Sequence, residues 1–330
     1  MQALNSPRIL FISTLKAPFI QDDLEFLMRF YQVRCWIGSG ILQVFRIILA
    51  CLKTDIAFCW FGSTYAFIAV LMMRMIHRRS IIVVGGVDVA KDKKLGYGIW
   101  LVPWKAALIR YAFRHADKII AVDESLAEKA RRLAKYNGTN IEIVPTGYDT
   151  SFWKIFEGIK TKCVLTVAAI SDGRRFRIKG IDILFEVARL LPQITFAVIG
   201  VTKEIASKFN APPNIEVLPK MERKLLLPYY QQAKIYCQPS RYEGMPNVLC
   251  EAMLCGCIPI ATDVGAAKSI LGGIGIIVPS ENISALASAI QSGLQLPEEA
   301  KHEVRKQIVD RFTKTHREEK LIQILRVLYQ

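Results

Sequence analysis

The chain has 330 residues, room for two domains of about 150 that each bury a core, and 52% of them are hydrophobic with a mean hydropathy of +0.26. Its longest unbroken apolar runs, such as residues 65–73, are near nine residues, less than half of the roughly 20 that cross a bilayer, so a membrane-spanning helix is not expected. The net charge of +15 divides as +8 over residues 1–150 (20 basic, 12 acidic) and +7 over 151–330 (24 and 17). A basic tail for nucleic acid would be more lopsided. The even excess suits anionic membrane and diphosphate-bearing ligands, or equally a merely solvated surface.

The first residues, MQALNSPRILFIST, put no charged segment ahead of a long apolar core, so no signal peptide is expected. Eight cysteines lie mostly in apolar segments without metal-ligand or disulfide spacing, as small buried hydrophobes in a reducing cytosol do. A cytoplasmic protein follows, with peripheral contact to the membrane's cytoplasmic face as one option.

Residues 8–14 (RILFIST) read as an apolar opening strand, followed by helical stretches near 22–31, 41–52, 63–76, 99–115 and 124–135. Strands near 32–37, 56–60, 80–84, 118–122 and 141–144 alternate with them, which predicts a doubly wound α/β domain with ligands at the carboxyl ends of the strands. In GGVDVAKDKKLGYG (85–98), Gly85 and Gly86 permit close approach, and Asp88 reads either as an acceptor of hydroxyl protons or as a turn-stabilising residue. Asp123 or Ser125 caps the helix that follows. Arg74, His77, Arg78 and Arg79 end an apolar helix and are placed to rest on anionic lipid. VPTGYDTSFW (144–153) reads as an interdomain linker, with the boundary near residue 155.

The second domain opens with a strand at 163–169 and the arginine-rich loop SDGRRFRIKG. Lys179-Gly180 stands at a helix start, where the dipole disfavours a cation, so a bound phosphate explains the lysine better than helix stability does. Strands near 194–200 and 214–218 follow; Gly200 ends the first, a place for a nucleobase against backbone. A helix at 222–232, a strand at 234–238 and, later, a strand in GGIGIIVPS lead to a helix capped by Ser280. Two amphipathic helices close the sequence, their charges expected on solvated faces.

Between them lies RYEGMPNVLCEAMLCGCIPIAT (241–262), read as a loop, a helix with Pro246 at its first position and Gly256 at its end, and a buried strand. The helix N-terminus offers unpaired N–H groups to a phosphate or to sugar oxygens. Gly244 lets backbone come close, Glu243 sits beside those amides, and Glu251, about a turn into the helix, aims two acceptor oxygens at a vicinal diol such as a ribose.

EGMPNxxxEAMxxGxxPxAT resembles the E-x7-E signature of the retaining glycosyltransferases of family four, and Lys179-Gly180 resembles that family's Arg-then-Lys-Gly element. The resemblance implies a GT-B fold: two Rossmann-like domains facing each other across a cleft, 1–155 on the acceptor side and 156–313 holding a nucleotide-diphosphate sugar, with a final helix (314–330) packed back on the first. It implies that Lys179, with Arg174 or Arg175, clamps the donor diphosphate, and that Glu243, Gly244, Met245, Pro246 and Asn247 contact the sugar and phosphates. It further implies no obligatory metal, front-face attack with the departing phosphate taking the acceptor proton, and a glycan or lipid-linked acceptor of the kind used in polysaccharide or lipopolysaccharide biosynthesis. Two departures stand out: the loop 15–20 lacks the glycines relatives carry near the donor phosphate, leaving Lys16 as the charge there, and the 174–177 loop differs in length. A nucleotide-sugar epimerase and a non-catalytic nucleotide-sugar-binding subunit are the alternatives.

Overall fold

The computed structural model describes residues 6–330 and divides the chain into two compact units, Met1–Gly147 with Thr315–Gln330, and Tyr148–Lys314. The division falls inside the VPTGYDTSFW segment. Chain exit and return lie side by side: the Tyr148 N–H donates to the Phe312 carbonyl and the Lys314 N–H donates to the Tyr148 carbonyl.

The first unit is built on a six-stranded parallel sheet of β1 (Arg8–Ser13), β2 (Gln32–Ile37), β3 (Ile56–Trp60), β4 (Arg79–Val84), β5 (Lys118–Ala121) and β6 (Ile141–Ile143), in the order β2-β1-β3-β4-β5-β6. Helices cover both faces, so the inner strands are nearly continuous apolar runs: IAFCW of β3 is buried throughout, and RILFIS and RSIIVV are buried after their first residue. The edge strand β2 is largely accessible.

The last helix, Lys314–Tyr329, belongs to this unit from Thr315 onward. Its Arg317 is 4% exposed and forks onto Asp23, Nε to Oδ1 and Nη2 to Oδ2, both at 2.7 Å. Nη1 donates to the Val144 and Pro145 carbonyls, the guanidinium lies over Trp60, and the Trp60 indole N–H donates to Asp23. The expectation that the charges of the two final helices lie on solvated faces fails here, because a fork of donors satisfied on every side is tolerated in a core. Arg305, in Ala300–Val309, likewise donates to the Thr150, Trp153 and Leu254 carbonyls of the second unit.

The second unit's sheet comprises β7 (Thr161–Val167), β8 (Thr195–Ile199), β9 (Ile215–Leu218), β10 (Ala233–Gln238), β11 (Ile258–Thr262) and β12 (Ile276–Val278), in the order β12-β11-β10-β7-β8-β9, again parallel. The order reverses between β7 and β10, so the connections leaving these neighbours diverge and open a crevice at their carboxyl ends. Three local expectations are corrected. The arginine-rich loop is a short helix, Gly173–Ile178, because the Asp172 side chain accepts from the Arg175 N–H and nucleates a turn. Asn282, not Ser280, caps Ile283–Gln295, accepting from the Ala285 N–H. Pro246 is the cap residue itself, and the helix runs Asn247–Leu254.

Six of the eight cysteines are buried, as expected of small hydrophobes, while Cys35 on the edge strand is exposed.

Candidate active site

Both connections at the β7/β10 reversal carry the residues singled out in the sequence. After β7 the chain runs through Gly173–Ile178 to Lys179, then turns at Gly180 into Ile181–Leu190. Gly180 has φ +69°, and a Cβ there would lie 1.8 Å from the Pro239 carbonyl oxygen, so only glycine lets this turn rest against the end of β10. The close approach brings Lys179 to Glu243, 64 residues on, with Nζ 2.6 Å from Oε1. Gln238 Nε2 and Ser240 Oγ donate to the same oxygen at 2.7 and 2.8 Å. Glu243 is buried, while the Lys179 side chain keeps 24% exposure. An ammonium has three N–H donors, so Lys179 can hold Glu243 and still reach an anion.

A residue that the sequence reading missed braces this corner. The Arg241 guanidinium pairs with both oxygens of Asp182 at 2.7 and 2.9 Å and with Glu281 at 2.9 Å, and its backbone N–H donates to the Ile178 carbonyl. Its position two residues before Glu243 was the available signal, but nothing in the sequence named its partners.

Gly244 is the next support: its carbonyl accepts from the Ala266 N–H, and a Cβ on Gly265 would meet the Glu243 and Gly244 carbonyls at 2.5 Å. The loop after β11 is therefore packed on the glutamate turn. Met245 and Pro246 are buried, and Asn247 Oδ1 accepts from the Tyr148 hydroxyl at 2.8 Å, fixing the helix entrance. On the second turn Glu251 is 4% exposed; its Oε1 accepts from Arg223 Nε at 2.7 Å and its Oε2 from the Tyr230 hydroxyl at 3.4 Å. Burial, then the neighbouring Glu251, pushes the Tyr230 hydroxyl well up, so it stays a donor. The Arg223 guanidinium also lies over Trp153, whose ring meets Tyr230 edge-on. Arg174 and Arg175 are exposed on the short helix beside Lys179. Gly200, φ +100°, abuts the Ala168 carbonyl, where a Cβ would come within 2.0 Å, and its own carbonyl accepts from the Ile170 N–H, so it joins the ends of β8 and β7.

Gly85, Gly86 and Asp88 lie in the first unit. The Asp88 side chain is 1% exposed and bridges two strand ends: Oδ2 accepts from the Gly62 N–H after β3, and Oδ1 from the Gly85 and Gly86 N–H groups after β4. Burial pushes its carboxyl up to about 6 against the opposing pull of those amides. Among the described residues no group of three or more His, Cys, Asp or Glu is placed to hold a metal ion, and no helix is long and apolar enough to cross a membrane.

The family profile for glycosyl transferases group 1 matches residues 166–310, and that for glycosyltransferase family 4 matches residues 26–152. The chain belongs to the group 1, family 4 glycosyltransferases. Among curated relatives, a phosphatidylinositol N-acetylglucosaminyltransferase component from Arabidopsis thaliana is 21% identical over 214 residues, covering 60% of this chain and 47% of the relative. The chain spans about half the length, or less, of the first curated relatives it matches. Two solved structures have the same fold. HepE from Anabaena, seen with UDP, gives a TM-score of 0.77 at 13% identity over 97% of this chain and 100% of HepE. Sucrose-phosphate synthase from Thermosynechococcus elongatus gives 0.80 at 15% over 98% and 99%. HepE has also been solved with UDP-glucose, and TarM of S. aureus with UDP and an α-GlcNAc-glycerol. This glycosyltransferase thus has the GT-B fold, each Rossmann-like sheet carrying its strand ends toward the loops described above.

Proposed function

We propose that this glycosyltransferase moves a hexose-type sugar, with retention of anomeric configuration, from a uridine diphosphate sugar to a glycan or lipid-linked acceptor in polysaccharide or lipopolysaccharide assembly at the cytoplasmic side of the membrane. The observation that carries the reading is the meeting of Lys179 and Glu243, from two connections, at the point where the strand order of the second sheet reverses.

As the glycosidic bond breaks, negative charge gathers on the leaving diphosphate. Lys179, Arg174 or Arg175 beside it, and the backbone N–H groups at the entrance to Asn247–Leu254 supply preorganised positive potential there. Three donors converge on one Glu243 oxygen, so that carboxylate is held rigidly and its role is orientation of the sugar. Glu251, fixed by Arg223 and Tyr230, accepts from the ribose hydroxyls. Gly200 keeps the nucleotide end of the crevice open to backbone contact. Asp88, its oxygens taken up by backbone amides, shapes the glycine loop through which Gly85 and Gly86 approach the acceptor. Support for the uridine nucleotide comes from the HepE and TarM complexes.

A thermal-shift panel of uridine, guanosine and adenosine diphosphate sugars tests this, since a ligand that binds only the native state raises its melting point by mass action. Uridine diphosphate hexoses are expected to stabilise the protein, and product analysis to show an α-linked sugar from an α-linked donor. Stabilisation by none of the donors, or release of an epimerised sugar without acceptor, refutes it.

A further inference from the structure

The helix Ile41–Cys51 in the first unit buries one side and leaves the other uncovered. Ile47, Ala50 and Cys51 are buried, whereas Ile41, Leu42, Phe45, Leu49 and the adjoining Leu52 are 78, 67, 63, 63 and 51% exposed. At 3.6 residues per turn these five fall within one face, a continuous stripe of large apolar side chains about 16 Å long. Scattered apolar residues on a surface mean little, but an aligned set of five marks an interaction face.

The charge around it is one-sided. From residue 26 to residue 87 there are seven Lys and Arg and a single acid, Asp55. That acid is committed, accepting from Arg8 and Arg78, and Arg79 is paired to Asp117. The sequence placed a lipid contact at Arg74, His77, Arg78 and Arg79; three of these four are engaged inside the unit, Arg74 with the His115 ring and Arg78 and Arg79 with aspartates. The basic groups flanking the stripe are Arg46 and Lys53, both exposed, with Arg34 on the edge strand β2 that packs beside the helix and, retained from those four, Arg74, exposed and bonded to His115, at the end of the helix Thr64–Met75 that packs along it. The Gly40 N–H donates to the Tyr65 hydroxyl at 2.7 Å, so the stripe starts from a fixed point.

We propose that the apolar face of Ile41–Cys51 docks on an anionic lipid bilayer, lying in the headgroup plane with Leu42, Phe45 and Leu49 in the acyl boundary and Arg46, Lys53, Arg34 and Arg74 among lipid phosphates. A second copy of the chain would bring the same basic set against itself, whereas anionic headgroups complement it.

The test is sedimentation of the full chain with phosphatidylcholine vesicles, with and without phosphatidylglycerol. Binding is expected on the anionic vesicles, weakened by salt and roughly tenfold or more weaker on pure phosphatidylcholine. The triple variant Leu42→Gln/Phe45→Gln/Leu49→Gln loses binding by about tenfold or more while keeping its melting point, because the three side chains touch water in the folded state. Arg46→Gln/Lys53→Gln loses roughly fivefold per charge removed on anionic vesicles. Absence of vesicle binding, equal binding by the triple variant, or a concentration-dependent dimer that the triple variant dissolves overturns the proposal. The assay reads lipid rather than turnover, so its failure leaves the glycosyl-transfer reading untouched.

Discussion

Replacing Arg317 by alanine removes every charged donor from the Asp23 carboxylate, which is 3% exposed and then keeps the Trp60 indole N–H. Breaking one side of a buried pair costs about 3–5 kcal/mol, because the remaining charge is neither solvated nor matched. Two backbone carbonyls, of Val144 and Pro145, lose their side-chain donor as well, which pushes the cost toward the upper end. For a unit of this size each kcal/mol lowers the midpoint by about 2–4 °C, giving a drop of roughly 6–20 °C for the transition of the first unit. Scanning calorimetry of the full chain reads it directly. Arg317→Met combined with Asp23→Leu is expected to recover most of the loss, since it removes the orphaned charge along with the donor. A fall of under about 2 °C for Arg317→Ala, or a double variant less stable than the single one, refutes the account of this pair.

Lys179→Ala is expected to cut donor turnover by about tenfold or more, the worth of one charge-assisted contact; unchanged turnover would remove its role. Glu251→Ala should weaken uridine nucleotide binding by a similar factor in calorimetric titration, and Arg223→Ala by less, since Tyr230 still donates to the glutamate. Gly180→Ala should abolish donor binding, because its Cβ meets the Pro239 oxygen and the turn carrying Lys179 has to move; normal binding would show that the turn tolerates a side chain. For Asp88, the folded-state carboxyl lies near 6, above its ordinary value of 3.8. Its contribution to stability is full below about 4 and lost as pH rises through about 6, so the stability difference between wild type and Asp88→Asn should shrink over that window. A difference that grows with pH, followed by urea unfolding, would contradict it.

The alternation of the fold was legible because both sheets are covered on two faces, which writes strands such as IIVV and FAVI as solid apolar runs between amphipathic stretches. The candidate site stood out in the sequence through its wording more than its spacing: two glutamates eight residues apart are common, and the GMPN turn and Lys179-Gly180 set this pair apart. Contacts between distant segments were not legible. Arg317 meets an aspartate 294 residues away and Arg241 one 59 residues away, and an arginine on an amphipathic helix carries no sign of which partner it will find. The same limit hid the uncovered face of Ile41–Cys51: hydrophobic periodicity locates an apolar stripe without saying whether anything lies over it.

Vectorial synthesis gives the Asp23–Arg317 pair a further consequence. On the ribosome the first sheet emerges hundreds of residues before the arginine that neutralises its buried aspartate, so that half of the nascent protein stays incomplete until the whole second half has been made. A stop codon just ahead of residue 317 would therefore damage the earliest part of the molecule to be translated, not the latest.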